Sequence, residues 1–228
     1  MEIRVQDNPA ATVADLLSEE AQRGGQIVLT GGSTPKLAYE MASRAGTDWS
    51  KATVWFSDER CVPPENGLSN FRMANDALLG RLQKDQRPEV VRMEGELGPE
   101  AGSASYEAAV RERMGNSPRF DLVLLGLGPD AHCASLFPGK PEVDERRRLV
   151  TGVELAGMDP QVPRISLTLP AINDARRVVF LVTGADKAHA VARAFGDPPD
   201  PTSPASLVRP STGELLVLLD PPAAKELE

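Results

Sequence analysis

Five short apolar runs punctuate the chain: QIVLT (26–30), TVWFS (53–57), FDLVLL (120–125), VVFLVT (178–183) and LLVLL (215–219). None shows the strict apolar/polar alternation of a strand with one wet face, so each needs cover on both sides of its sheet. The intervening segments have helical spacing. Ala11 to Gln22 places Val13, Leu16, Leu17 and Ala21 on one face, and Gly24-Gly25 stops it. Pro35 to about Arg44 reads as a helix with proline in its first turn, where a missing N–H does no harm. Pro99 to Met114 turns Tyr106, Ala109 and Val110 inward, and another helix runs from Gly184 to about Ala194. This alternation predicts an α/β fold, an open, mostly parallel sheet with helices on both faces.

Weaker signals fill the rest. Ser69 is placed to cap a helix through Leu82, and Val90–Met93, Leu149–Val153 and Arg164–Leu169 read as further strands. Residues 61–68, 126–139 and 196–204 read as loops, and 140–148 as a solvated excursion. No repeat or composition break divides the 228 residues, so a single domain over 1–228 is expected. Aromatic residues make up only 4%, which leaves the core mainly to Leu, Val, Ile and Ala.

A net charge of −8 argues against non-specific nucleic-acid binding. The N-terminus has no apolar stretch behind a basic start, and no run approaches the ~20 residues that span a bilayer, so neither a signal peptide nor a membrane partner is expected. Two distant cysteines, Cys61 and Cys133, read as free thiols in a reducing, cytoplasmic setting. With two histidines and no short-spaced ligand pair, no metal site is expected.

The unusual residues follow the strands. In a parallel sheet the strand ends share one edge, and ligands bind there. Gly31-Gly32-Ser33-Thr34 is a sound phosphate cradle, with backbone N–H groups and a helix N-terminus aimed at one spot. It reads equally as a tight turn with a Ser or Thr N-cap. No GxxxxGK[ST] motif is present, so a nucleoside triphosphate is not indicated. Asp58-Glu59-Arg60 offers a cation suited to phosphate or to an oxyanion, or else is an internally paired surface triplet. Arg164 and Lys187 are the other candidate cations; a lysine at a helix N-terminus is easier to understand beside an anion, and reads equally as a side chain snorkelling into solvent. In Gly126-Leu127-Gly128-Pro129-Asp130-Ala131-His132, the imidazole is a candidate base. Asp130 either orients that imidazole or caps a helix starting near Ala131 or Cys133. His189, inside a helix, reads as a structural or surface residue.

Taken together, LTGGSTP, VWFSDERCVPPENGLSNFRMA, FDLVLLGLGPDAHCASLFPG, RISLTLP, VTGADKA and PASLVRPSTGELLVLLD resemble the 6-phosphogluconolactonase family in order and spacing, from about Ile27 to Asp220. The resemblance implies a Rossmann-like fold shared with glucosamine-6-phosphate deaminases. It also implies hydrolysis of 6-phospho-D-glucono-1,5-lactone to 6-phosphogluconate in the oxidative pentose phosphate pathway, with neither metal nor organic cofactor. The partner it implies is the small phosphorylated lactone, bound by a monomer or small homo-oligomer. On this resemblance the phosphate-binding role falls on Gly31, Gly32, Ser33, Thr34, Arg60, Arg164 and Lys187, and the catalytic histidine matches His132, with Asp130 beside it.

Two positions depart from the family pattern Asp-Gly-His-Thr-Ala-Ser: Ala131 stands for the glycine and Cys133 for the threonine. If position 131 has a positive φ, alanine strains the loop by ~1 kcal/mol or more; if φ is negative the change is harmless. Two rival functions bear weighing. A deaminase would carry a carboxylate soon after the histidine, in a Phe-Asn-Glu-Pro run, where this chain has Ser135-Leu136-Phe137-Pro138-Gly139. A non-catalytic sugar-phosphate sensor would keep the cradle and relax the catalytic loop, as Ala131 and Cys133 would allow.

Overall fold

The computed structural model describes residues 1–115 and 117–227. In chain order it builds β1 (Glu2–Val5), α1 (Pro9–Arg23), β2 (Gln26–Leu29), α2 (Ser33–Ala42), β3 (Thr53–Phe56) and β4 (Asp58–Arg60). Next come α3 (Asn70–Ala77), β5 (Glu89–Val90), α4 (Pro99–Met114), β6 (Leu122–Leu125), β7 (Val150–Val153) and β8 (Arg164–Leu167). The chain closes with α5 (Leu169–Asn173), β9 (Arg177–Val182), α6 (Ala188–Phe195) and β10 (Glu214–Leu219).

Among the described residues, seven strands form one sheet in the order β1-β10-β9-β6-β2-β3-β5, parallel throughout. β3 and β6 are buried along their whole length, which is why their sequences lack alternation. Right-handed crossovers put α1 and α2 on one face and α4 and α6 on the other. The packing agrees: α1 lies on α2, α2 on α3, and α4 on β7 and β8. The few aromatics concentrate inside. Trp55 is fully buried, meets Tyr106 and Phe120 edge-on at 5.8 and 5.9 Å, and donates its indole N–H to Gln26 Oε1 at 2.7 Å.

The order of strands creates the functional edge. The chain leaving β2 crosses to β3 on one side, and the chain leaving β6 crosses to β9 on the other. The crevice between the ends of β2 and β6 is therefore a topological switch point, the place where such sheets bind ligands.

Several sequence expectations need correction. β4, β7 and β8 do not extend the parallel sheet but make a separate antiparallel one, order β4-β8-β7. Asp58–Arg60 is thus a strand rather than a surface triplet, and the chain changes sheets at Ser57, whose N–H bonds Leu29 O and whose C=O accepts from Leu167 N–H. β1 was not anticipated: EIRV is polar and mostly exposed because it is an edge strand with one neighbour. The helix capped by Ser69 ends at Ala77, with a 3-10 turn at Leu79–Arg81 beyond it, and the strand expected at 90–93 is only Glu89–Val90. α5 replaces the end of the expected strand 164–169, started by Pro170 in its first turn and by Thr168, whose hydroxyl accepts from Ala171 N–H.

Candidate active site

The cradle begins where β2 ends. Tyr39, on α2, donates its hydroxyl to Thr30 O and accepts from Thr30 N–H, at 2.8 and 2.9 Å, fixing the turn to the helix. Gly32 is the N-cap residue of α2 with φ +113, a conformation an L side chain rarely adopts. No side chain caps α2, so the N-cap reading of Ser33 or Thr34 does not hold. The first-turn N–H groups are left open for an anion. Ser33 is exposed, and the Thr34 hydroxyl lies 3.0 Å from that of Thr183 at the end of β9. Lys187 is the N-cap residue of α6, one turn past the same strand end.

The three residues of β4 divide their tasks. Glu59 is structural: its carboxylate accepts the N–H groups of Asn70 and Phe71 and the hydroxyl of Ser69, capping α3. Burial pushes its carboxyl above the ordinary range, against those hydrogen bonds. Asp58 is buried and accepts from the Ser57 and Ser135 hydroxyls and the Asn70 carboxamide. Arg60 donates to Leu68 O at 2.6 Å.

Arg60 stands directly opposite Arg164 in the β4–β8 ladder. Arg164 is 3% exposed, donates to Pro160 O at 3.0 Å, and holds its guanidinium carbon 5.5 Å from the centre of the Phe137 ring. Burial pulls its pKa down, Asp58 opposes that shift, and Arg60 adds to it. The Nε atoms of both arginines are buried with no hydrogen-bond partner. Both arginines also line one cavity, and two guanidinium groups there favour an anionic ligand.

The His132 loop is built around one hydrogen bond. Asp130 Oδ1 lies 2.5 Å from His132 Nδ1 and also accepts the His132 backbone N–H at 3.1 Å. No helix starts at Ala131 or Cys133, so Asp130 orients the imidazole instead of capping one. Burial alone would raise the Asp130 carboxyl, but the hydrogen bond and charge of His132 outweigh it and hold the carboxyl below its usual range. A carboxylate at Nδ1 favours the proton there and leaves the Nε2 lone pair free to accept one. Phe137 packs at 4.6 Å from the imidazole, and only 13% of the His132 side chain is exposed.

Position 131 proves to have a positive φ. Ala131 sits at +66° and Ala134 at +48°, a strain of roughly 1–2 kcal/mol each. The surroundings over-determine both. Ala205 N–H bonds Ala131 O at 3.1 Å, and Arg193 reaches Asp130 O at 3.4 Å. Ser135 is pinned to Asp58 Oδ2 at 2.8 Å and, through its N–H, to Ser166 Oγ. Cys133 is buried, and that burial pushes its thiol up to about 12, so it is no nucleophile at neutral pH.

These parts meet in one cavity of about 300 Å³, whose walls include Gly31, Gly32, Arg60, His132, Arg164 and Lys187. Ser33 and Thr34 line an adjoining cavity of about 140 Å³, together with Thr183 and again Lys187. Asp130 stands behind His132, in contact with the imidazole. His189 is 74% exposed on its side chain. Sequence reasoning gave no task to Asp58, Asn70 or Phe137, whose types are unremarkable until burial shows what they touch. Among the described residues, no three His, Cys, Asp or Glu side chains come together as a metal would require.

A doubly wound sheet, an anion cradle at its switch point and an oriented imidazole in the same cavity define an enzyme acting on a small anionic ligand. A family model described as glucosamine-6-phosphate isomerases/6-phosphogluconolactonase matches residues 4–217, and the chain belongs to that family. The 6-phosphogluconolactonase of a Synechocystis species is 41% identical over 213 residues, covering 91% of this chain and 87% of that one. The Homo sapiens 6-phosphogluconolactonase is 37% identical over 206 residues, covering 87% and 79%. Among solved structures, the Trypanosoma cruzi 6-phosphogluconolactonase superposes with a TM-score of 0.85 at 28% identity, over 99% of this chain and 96% of that one. A monomeric glucosamine-6-phosphate deaminase reaches 0.83 at 18% identity, over 99% and 100%, a likeness of fold alone.

Proposed function

We propose that the chain hydrolyses 6-phospho-D-glucono-1,5-lactone to 6-phosphogluconate, a step of the oxidative pentose phosphate pathway, with His132 as general base. The observation that carries this reading is the Asp130–His132 hydrogen bond of 2.5 Å in the cavity that also holds the open end of α2 and Lys187. The 6-phosphate binds the Gly31–Thr34 turn and the cations Lys187, Arg60 and Arg164. Holding that remote dianion orients the lactone ring. His132 Nε2 takes a proton from water as the water oxygen bonds to C1. The tetrahedral oxyanion is stabilised by a guanidinium or by backbone N–H groups. The C1–ring oxygen bond then breaks, and the Nε2 proton passes to the departing oxygen. Asp130 stabilises the transient imidazolium, and no covalent enzyme intermediate is required.

Several broader points belong to the same reading. Residues 1–228 work as a single domain, since one buried cluster joins both sheets. No helix among the described residues is long and apolar enough to cross a membrane. Free Cys61 and Cys133 fit a cytoplasmic enzyme, and the net charge of −8 fits one without a nucleic-acid partner, acting as a monomer or small homo-oligomer.

The test is lactone opening followed by NMR on substrate generated in situ, with spontaneous hydrolysis subtracted. Wild type accelerates opening, and His132→Ala loses turnover by about 10²–10⁴-fold while still binding 6-phosphogluconate. Near-normal turnover in His132→Ala removes the imidazole from the mechanism. Wild-type protein that binds product but adds nothing to the background rate would make the chain a sensor, its loop disabled at Ala131.

A further inference from the structure

One carboxylate at the functional edge has no part in the chemistry above. Asp220 ends β10 beside the end of β9, and its backbone N–H reaches Val182 O at 3.3 Å. Both side-chain oxygens accept the Gly184 N–H, at 3.1 and 3.0 Å, and Oδ1 also takes the Ala223 N–H at 2.9 Å. Gly184 opens the turn that carries Lys187: residues 185–187 form one turn of 3-10 helix, closed by Lys187 N–H on Gly184 O at 3.1 Å. Fixing Gly184 therefore fixes the lysine backbone three residues on. The residue before Gly184 is Thr183, whose hydroxyl meets that of Thr34 in the cradle. Asp220 is absent from the walls of the 300 and 140 Å³ cavities; it lines a neighbouring one of about 390 Å³ with Ser33, Thr34 and Thr183, and its contact with the Lys187 segment is through this turn.

We propose that Asp220 is a positioning residue for phosphate recognition, holding the Gly184–Lys187 turn so that the Lys187 ammonium meets the substrate phosphate. The inference rests on the phosphate role of Lys187 given above. Its sign separates it from a simple charge effect. A carboxylate near a phosphate site repels the phosphate, so by charge alone its removal tightens binding. Positioning predicts the reverse for alanine. Asparagine distinguishes the two further, because its single carbonyl oxygen can keep the Gly184 and Ala223 hydrogen bonds without the charge.

The experiment is steady-state kinetics on 6-phosphogluconolactone and on unphosphorylated gluconolactone, for wild type, Lys187→Ala, Asp220→Ala, Asp220→Asn and the double alanine variant. Lys187→Ala should raise KM for the phosphorylated lactone by about 10–100-fold, the range of a charge-assisted contact. Asp220→Ala should raise it about tenfold, with kcat and the rate on unphosphorylated lactone changed less than about threefold. Asp220→Asn should keep the wild-type KM or lower it. The double variant should be no worse than Lys187→Ala alone, because the two act in series.

Asp220→Glu keeps charge and acceptors but pushes the turn outward, so it too should raise KM; it decides the question if Asp220→Ala does not fold. An unchanged or lowered KM in Asp220→Ala or Asp220→Glu, beside an impaired Lys187→Ala, overturns the inference. Equal losses on both lactones overturn it as well, since they mark a general structural role. A wild-type KM in Lys187→Ala overturns the phosphate reading itself, and the inference falls with it.

Discussion

Gly128→Ala places one methyl group in the space the imidazole occupies. A Cβ at residue 128 would stand 1.9 Å from His132 Nδ1, 2.1 Å from Cε1 and 2.8 Å from Asp130 Oδ1. Gly128 is not among the positive-φ glycines, so alanine meets no backbone penalty and the collision acts alone. Non-bonded contact needs about 3.5 Å, so the ring must retreat by roughly 1.5 Å. That displacement breaks the 2.5 Å bond to Asp130. A 1 Å misplacement of a reacting group is worth about 10² in rate, and general base catalysis about 10²–10⁴. The expected loss in kcat is therefore about 10²–10³-fold, or roughly 3–4 kcal/mol in the barrier. KM for the phosphorylated lactone should move only a few-fold, because α2 and Lys187 lie on other elements. The assay is lactone opening by NMR with product titration alongside. Gly67→Ala serves as the control, since a Cβ there meets nothing within 4 Å. Turnover in Gly128→Ala within threefold of wild type would refute the idea that His132 must sit where the structure puts it.

Two smaller predictions accompany this one. Ala131→Gly relieves about 1–2 kcal/mol of strain but loses about 0.8 kcal/mol of methyl burial and about 0.4–1 kcal/mol through a freer unfolded chain. Urea unfolding should therefore shift by less than about 1 kcal/mol with turnover retained, and a loss above about 2 kcal/mol would mean that the methyl is a packing element. Asp200 is held down to about 2, from 3.8, by hydrogen bonds from Thr202 and then Arg193. A carboxylate lowered in this way stabilises the fold above its unfolded pKa, and that contribution fades as pH falls from 3.8 towards 2. Wild type and Asp200→Asn should thus differ in thermal stability at pH 6 and converge towards pH 2; a gap that widens on acidification contradicts the assignment.

The sequence disclosed whatever its local pattern had to encode. β2, β3, β6, β9 and β10 were legible because strands covered on both faces must be apolar throughout. β1 was not, since EIRV on an edge needs no such pattern. β7 and β8 were legible as strands but not as a second sheet, because RISLTL reads the same whichever neighbour it pairs with, and the pairing with β4 joins residues about a hundred positions apart. At the site, Gly31–Gly32 and Asp130–His132 stood out by residue type at strand ends. Asp58, Asn70 and Ser135 did not, because a polar residue becomes a bracket only when the fold buries it against a partner. The sign of φ at position 131 was posed by the sequence and decided by the loop, since Ala205 and Arg193 lie some sixty to seventy positions further along the chain.

The pairing of Arg60 with Arg164 has a wider consequence. Directly opposed residues of an antiparallel ladder project from the same face, and like charges there repel. The pairing therefore places a small repulsion at the point where β4 leaves the parallel sheet. Asp58, in the same ladder, answers part of that repulsion, and a bound anion would answer more of it. On the phosphate role proposed for Arg60 and Arg164, folding stability and substrate affinity would be opposed at these two positions, so that changes which quiet the ladder would blunt recognition.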